Sequence, residues 1–238
     1  MACMVGREPA GGRERLPAGD NAPPAPAAPR LPDTFGPQIS ASELDWADEL
    51  ALDGQDVCGG VLTVPILRDV AVRGCRLATV RLTAAELTRS ELVDVAGRGL
   101  DLSGTRWERA RWRRVSLTDC RLSGADLSGA TLSDLAVAAG RADELSLRFA
   151  TCERIAFTDT DLRGLDAYQA DLRGASFTRC DLTGAQFGRA QCQGAVFRDC
   201  TLAGLDGVQS LAGASIASLD LMALSHLFAQ ALGIRILD

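Results

Sequence analysis

A five-residue period limits what this chain can fold into more than any other feature. In "ADLSGATLSDL", residues 125–135, a small residue, a polar residue, Leu and two turn-formers recur in order, a spacing that fits neither the helical nor the strand period. Stepping by five from Leu77 to Leu202 gives 26 consecutive units without an insertion or deletion. The centres include Leu77, Leu82, Leu87, Leu92, Leu102, Trp107, Trp112, Leu117, Leu122, Leu127, Leu132, Phe157, Leu162, Leu172, Phe177, Leu182, Phe187, Phe197 and Leu202. Two residues before each centre stands a mostly small residue, among them Cys75, Ala85, Ala110, Cys120, Ala170 and Cys200. These two columns hold 52 positions and no charge, although charged residues make up 24% of the chain. An unpaired buried charge is so costly that both columns are expected to face a dry interior.

Side chains alternate sides in extended chain, so the small residue and the Leu point inward with a polar residue outward between them. The remaining two residues turn the chain, and Gly recurs at the second of them, at Gly124, Gly129, Gly174 and Gly184 among others. Each unit is then one side and one corner of a coil. If four sides make a coil, residues 20 apart stack about 4.8 Å apart. Outward columns at that step alternate in charge: Asp94, Arg114, Asp134, Arg154; Glu86, Arg106, Asp126; Arg81, Asp101, Arg121. Glu153 below Arg173 fits the same rule, and Arg89 below Arg109 breaks it. An exposed pair contributes about 0.2–1 kcal/mol, so these columns set register more than stability.

Units such as "ADLSG", "ADLRG", "CDLTG" and "AQFGR" resemble the A(D/N)LxX consensus of pentapeptide repeat proteins. The resemblance covers residues 62 to 207 and implies an all-β solenoid, a right-handed quadrilateral β-helix with four repeats per coil and six to seven coils. Departures fall at Gly97, Ala142 and Ala167, where the centre is small, and across "LAVAAGRADELSL", 135–147, with a bulge or looser coil expected around 138–146. Leu145 and Leu165 stand in the usually small column nearby, so volume can be exchanged between columns.

Four segments follow. Residues 1–40 hold eight of the nine prolines and read as a disordered Pro/Ala/Gly-rich tail. Residues 41–61, with Glu43, Asp45, Asp48, Glu49, Asp53 and Asp56 beside Leu44 and Trp46, read as an acidic N-terminal cap. The pentapeptide-repeat β-helix spans 62–217, with a phase shift that sets Leu211, Ile216 and Leu221 one residue early. Residues 218–238 read as a C-terminal helix and short tail. There Leu221, Leu224, Leu227, Phe228 and Leu232 recur at helical spacing, Ser218 or Asp220 can cap the start, and Gly233 can end it. Such a helix covers the open last coil or, as the resemblance implies, supplies a dimer interface from those five residues.

The sequence offers no catalytic, cofactor-binding or metal-binding residues, and no cofactor is expected. The single His, His226, lies on the terminal helix without partners. Cys75, Cys120, Cys180 and Cys200 in the small column, with Cys152 and Cys192 at centres, read as small buried hydrophobes. Trp107 and Trp112 read as core, and Tyr168 as an exposed turn residue able to make a contact. "RWERARWRR" reads as a self-paired wall rather than a nucleic-acid site, since Arg106, Arg111 and Arg114 each have an acidic residue 20 away. No apolar run reaches the roughly 18 residues of a membrane span, and a cytoplasmic protein that contacts neither membrane nor nucleic acid directly is expected.

The resemblance implies one further activity: members that mimic duplex DNA bind DNA gyrase and give fluoroquinolone resistance. Such mimicry needs a continuous negative face in place of phosphates. Residues 57–207 hold 20 Arg against 19 Asp and Glu. The leading expectation is therefore a non-catalytic scaffold that binds another protein through its flat walls, with homodimerisation through the C-terminal helix. The alternative is a DNA mimic that binds DNA gyrase or another topoisomerase.

Overall fold

The two uncharged columns line the inside of a tube. Every named centre from Leu82 to Leu202 is buried, and Leu77 is partly buried against the same core. In the computed structural model, which describes residues 22–62 and 65–235, the chain winds as a parallel β-solenoid of about 8 turns. Register confirms the 20-residue coil: Leu92 pairs with Trp112, Trp112 with Leu132, Phe157 with Phe177 and Phe177 with Phe197. Two successive sides are bridged by eight-residue strands at Glu91–Arg98, Arg111–Thr118, Thr131–Ala138 and Thr151–Thr158. The other sides touch through single bridges such as Arg81 to Asp101 and Asp101 to Arg121.

Stacking at this step makes ladders of identical chemistry inside the tube. Phe157, Phe177 and Phe197 lie parallel, with ring centroids 5.5 and 4.9 Å apart and planes 6° apart. Trp107 and Trp112 meet edge to face at 5.0 Å, and the Trp107 indole N–H donates to Thr105 Oγ1 at 2.9 Å.

The segment 135–147 was expected to loosen, and it does not. Thr131–Ala138 pairs along its length with both neighbouring coils, while Ala142 and Leu145 are fully buried. Volume exchange keeps the coil regular: a small centre leaves room that a large residue in the facing column fills. The same substitution operates at Gly97, where a β-carbon would stand 2.6 Å from Leu100 Cδ1 and 2.7 Å from Leu117 Cδ2.

Both ends of the solenoid differ from the boundaries read in the sequence. Most of the expected acidic cap, 41–61, is the first coil: Ala51–Asp53 pairs with Ala71–Arg73, and Asp56–Cys58 with Arg76–Ala78. The phase runs back from Leu77 through Leu67, Leu62, Val57 and Leu52, all four of which are buried. Gln55, Gly60 and Pro65 in the preceding column hid the pattern. Two acids of this coil pair with arginines of the next, Asp48 with Arg68 and Asp56 with Arg76. The cap proper is Ile39 to Trp46. Ile39 donates to Asp56 O and accepts from Cys58 N–H, the 3₁₀ turn Ala41–Glu43 carries a capping box from Ser40, and Trp46 Nε1 donates to Ala41 O.

At the other end the expected single helix is two: α1, Ser218–Ala223, and α2, Ser225–Ala231, meeting at Leu224. The phase shift shortens the last coil, so Ser215–Ile216 pairs with Val196–Phe197 at a 19-residue step. Neither Ser218 nor Asp220 caps α1; its N-cap is Ala217. Asp220 instead accepts the Cys200 N–H at 2.9 Å, taking the place that a side chain 20 residues on holds in earlier coils, as where Leu100 N–H donates to Cys120 Sγ. Gly233 takes the left-handed conformation just past α2, φ +69°.

The expected disordered tail also needs correction. Residues 1–21 lie outside the described residues, but residues 23–32 lie along one corner of the solenoid. Two backbone N–H groups donate to carboxylates there, Ala27 to Asp134 at 2.9 Å and Arg30 to Asp94 at 2.8 Å. Proline lowers the entropy of the free chain, so a proline-rich strap loses little on being laid down.

Candidate interaction surfaces

The interior offers no chemistry to an outside molecule. Burial pushes the Cys152 and Cys192 thiols up to about 12, far from the reactive thiolate, and Cys75 and Cys120 upward as well. Among the described residues, no three His, Cys, Asp or Glu side chains are placed to hold a metal ion. His226 is exposed on α2. A surface groove of about 600 Å³ is lined by Arg81, Asp101, Asp119, Arg121, Arg141 and Asp161, among others. Its charges face each other, with Arg81 3.9 Å from Asp101 and Arg141 4.0 Å from Asp161.

Many of the wall charges pair between neighbouring coils. Arg106 lies 3.5 Å from Glu86, and Arg89 forms a two-pronged pair with Asp69, which removes the apparent conflict with Arg109. Arg179 pairs with Asp159 in the same way. Two expected pairs, Glu91–Arg111 and Glu153–Arg173, are not made: Glu91 pairs with Arg73, Arg173 with Asp171, and Glu153 with Arg154. A neighbour on the same coil or a diagonal one reaches these groups more easily than the residue 20 away.

One corner departs from this polar pattern. Phe149 occupies a turn position with φ +58° and leaves 53% of its surface exposed. A bulky residue there is unusual, since the β-carbon crowds the backbone. Its ring meets Tyr168 edge to face at 5.8 Å, and the Arg148 guanidinium lies 5.5 Å from the Phe149 centroid and 4.8 Å from that of Tyr168. Arg148 is held by Asp166 at 2.7 Å. Gly188, one coil beyond Tyr168, lets the Tyr168 ring lie over its backbone, since a β-carbon there would stand 3.1 Å from Tyr168 Cδ2. Tyr168 was legible as a candidate contact, although it is half-buried; Phe149 and Arg148 were missed, and the signal was a Phe where this column otherwise holds polar residues or Gly.

The next corner is the one covered by the strap. Its column reads Gly54, Gly74, Asp94, Arg114, Asp134, Arg154, Gly174, Gly194. Arg114 grips Asp94 with both prongs at 2.5 Å, and Arg154 grips Asp134 at 2.7 and 3.0 Å. The same Asp–Arg geometry at Asp69 and Asp159 stands in solvent, whereas the Asp94 and Asp134 side chains are only 13% and 8% exposed. Hydrogen bonds from Arg114 and Arg154 hold both carboxyls below their ordinary range, with the strap N–H groups adding to the effect. Beyond the two ion pairs, Pro32 lies against Gly54 and Gly74, and Pro23 against Gly174.

The five residues expected at a helical interface divide. Leu224 is fully buried, while Leu227 and Phe228 pack partly against the core, so these three close the last coil instead. Leu221 and Leu232 are exposed, at 45% and 74%, and are joined by Leu219, Met222 and Ile234.

A β-solenoid with filled interior, patterned walls and no catalytic cluster among its described residues defines a repeat protein that presents surfaces. Family descriptions match it directly: "Pentapeptide repeat region" over residues 110–187 and "Pentapeptide repeats (8 copies)" over 180–206. Residues 110–206 are thus a run of pentapeptide repeats. Among solved structures it is similar to HetL from the cyanobacterium Nostoc sp. strain PCC 7120, a pentapeptide repeat protein involved in heterocyst differentiation regulation. That match has 19% identity and a TM-score of 0.31, covering 71% of this chain and 85% of HetL. It is also similar to full-length QnrB1, a plasmid-mediated fluoroquinolone resistance protein, at 17% identity and a TM-score of 0.34, covering 83% of this chain and 100% of QnrB1. No curated protein sequence matches the chain. No described helix is long and apolar enough to cross a membrane.

Proposed function

We propose that the protein is a non-catalytic scaffold that binds another protein through the walls of its solenoid. The observation that carries this reading is the aromatic corner. Phe149, Tyr168 and Arg148 form a partly apolar projection on a wall otherwise rich in charge, and Tyr and Arg are among the residue types enriched at protein–protein hot spots. Homodimerisation belongs to the same proposal, through the exposed Leu219, Leu221, Met222, Leu232 and Ile234 at the C-terminal end.

The DNA-mimic reading is not favoured. It requires one acidic wall, whereas arginines interleave with acids at Arg81, Asp101 and Arg121 and at Asp94, Arg114, Asp134 and Arg154; the column through Asp126, Asp166 and Asp206 stays free of arginine beyond Arg106. A gyrase supercoiling assay with added protein separates the two readings, and inhibition at micromolar concentration would reverse this preference. The scaffold reading is tested by crosslinking in extracts of the source cells with wild type and Phe149→Ala. A partner lost in the variant, with the melting temperature unchanged, supports it; an identical crosslinking pattern from both sinks the aromatic corner as the contact.

A further inference from the structure

We propose that the corner running from Gly54 to Gly194 is a recognition groove for proline-rich segments in the polyproline II conformation, with residues 23–32 as its resident ligand. The argument starts from two repeats that match. Polyproline II has three residues per turn and rises about 3.1 Å per residue, so one turn advances about 9.3 Å. Two coils of a β-solenoid advance about 9.6 Å. A polyproline strap laid along the rod axis therefore meets equivalent positions of every second coil once per turn.

The strap keeps this beat. Prolines stand at 23, 26, 29 and 32, and Pro23, Pro26 and Pro29 are half-buried while the residues between them are exposed. Its two N–H donors, Ala27 and Arg30, are three residues apart, and the carboxylates that accept them, Asp134 and Asp94, are 40 residues or two coils apart. Each donor directly follows a proline of the series, so one edge of the strap packs while the adjacent edge hydrogen-bonds. The groove is equally matched to its ligand: Asp–Arg pairs fix the two acceptors, and Gly74 and Gly174 beyond them remove side chains where Pro32 and Pro23 lie.

The strap contributes no residue to the hydrophobic core, so the groove exists without it. A tethered ligand competes at an effective concentration on the order of millimolar, and a free segment of the same spacing gains access when the tether is weakened. The proposal names one partner class for a scaffold. It uses a different corner from the aromatic cluster, so either reading can fail alone.

The probe is a fluorescent peptide of residues 22–33, titrated by anisotropy against the full chain and against the full chain carrying Ala27→Pro and Arg30→Pro. These substitutions are compatible with polyproline II geometry and remove the two donors, together with the Arg30 side chain. The expected result is at least tenfold tighter binding to the substituted chain than to wild type, and no binding by a peptide that itself carries both substitutions. Equal affinity for both chains, binding to neither, or undiminished binding by the substituted peptide overturns the proposal. Amide exchange in the wild-type chain is the second measurement. Protection confined to Ala27 and Arg30, with Ala25, Ala28 and Leu31 exchanging freely, supports it, whereas uniform exchange across the strap overturns it. A wild-type dimer that the two substitutions dissolve would place the strap on a second copy and would also overturn it.

Discussion

The Asp220 carboxylate accepts the backbone N–H of Cys200 at 2.9 Å, so a helix side chain occupies the rung that a ninth coil would have filled. An open solenoid end exposes unpaired backbone groups and invites pairing with another chain. Asp220→Ala leaves that N–H unsatisfied beneath α1 at a cost of about 1–3 kcal/mol. Faster amide exchange at Cys200, with the first coils unaffected, is the expected outcome; unchanged exchange would show that the helix alone seals the end.

Phe177 lies between Phe157 and Phe197 in the aromatic stack and touches Phe187 edge-on as well. Phe177→Ala therefore removes the centre of a ladder that cannot collapse from either side. A loss of about 3–5 kcal/mol in urea unfolding is expected, at the upper end for a buried aromatic truncation.

Gly97 and Leu100 share one volume. Gly97→Ala forces a methyl against Leu100 and Leu117, costing about 1–3 kcal/mol through overpacking. Adding Leu100→Ala to that variant is expected to restore part of the loss, and a double-mutant cycle with no coupling between the two sites would refute the exchange.

Asp94 and Asp134 are held below the ordinary carboxylate value of 3.8, chiefly by hydrogen bonds from Arg114 and Arg154. A depressed folded value means that the charged form favours the native state; this contribution is complete above 3.8 and is lost as pH falls through the lowered value. The amide chemical shifts of Ala27 and Arg30 should stay constant from neutral pH down to about 4 and move only below it. Movement between pH 5 and 7 would mean that other groups hold the strap.

Thiol reactivity should follow burial. Of the cysteines in the described residues only Cys58 is half-buried rather than buried. In the native protein a thiol reagent should modify Cys58 well before Cys152 or Cys192, whose thiols are raised to about 12. Simultaneous modification, read by mass spectrometry of peptides, would indicate global opening instead.

Much of this architecture was legible as phase. A column that excludes charge at every fifth residue admits one kind of closed tube, and the inward set from Leu82 to Leu202 follows from it, as does the 20-residue register of Phe157, Phe177 and Phe197. The first coil was hidden only because Gln55, Gly60 and Pro65 interrupt the small column while Leu52, Val57 and Leu62 keep the beat. Local volumes misled at 135–147, where small centres suggested slack that residues in the other column take up.

The sequence by itself determined the period, the inward faces and the coil, because those depend on spacing along one chain and on the cost of burying charge. The tertiary structure alone decided which surfaces are covered. Whether Leu224 closes a coil or faces a partner, whether Phe149 finds Tyr168, and whether a proline-rich leader lies against Asp94 and Asp134 depend on contacts between residues 19 to 107 positions apart. No local pattern encodes such distances, since they arise only when the wound rod brings its corners beside segments that lie outside the repeat.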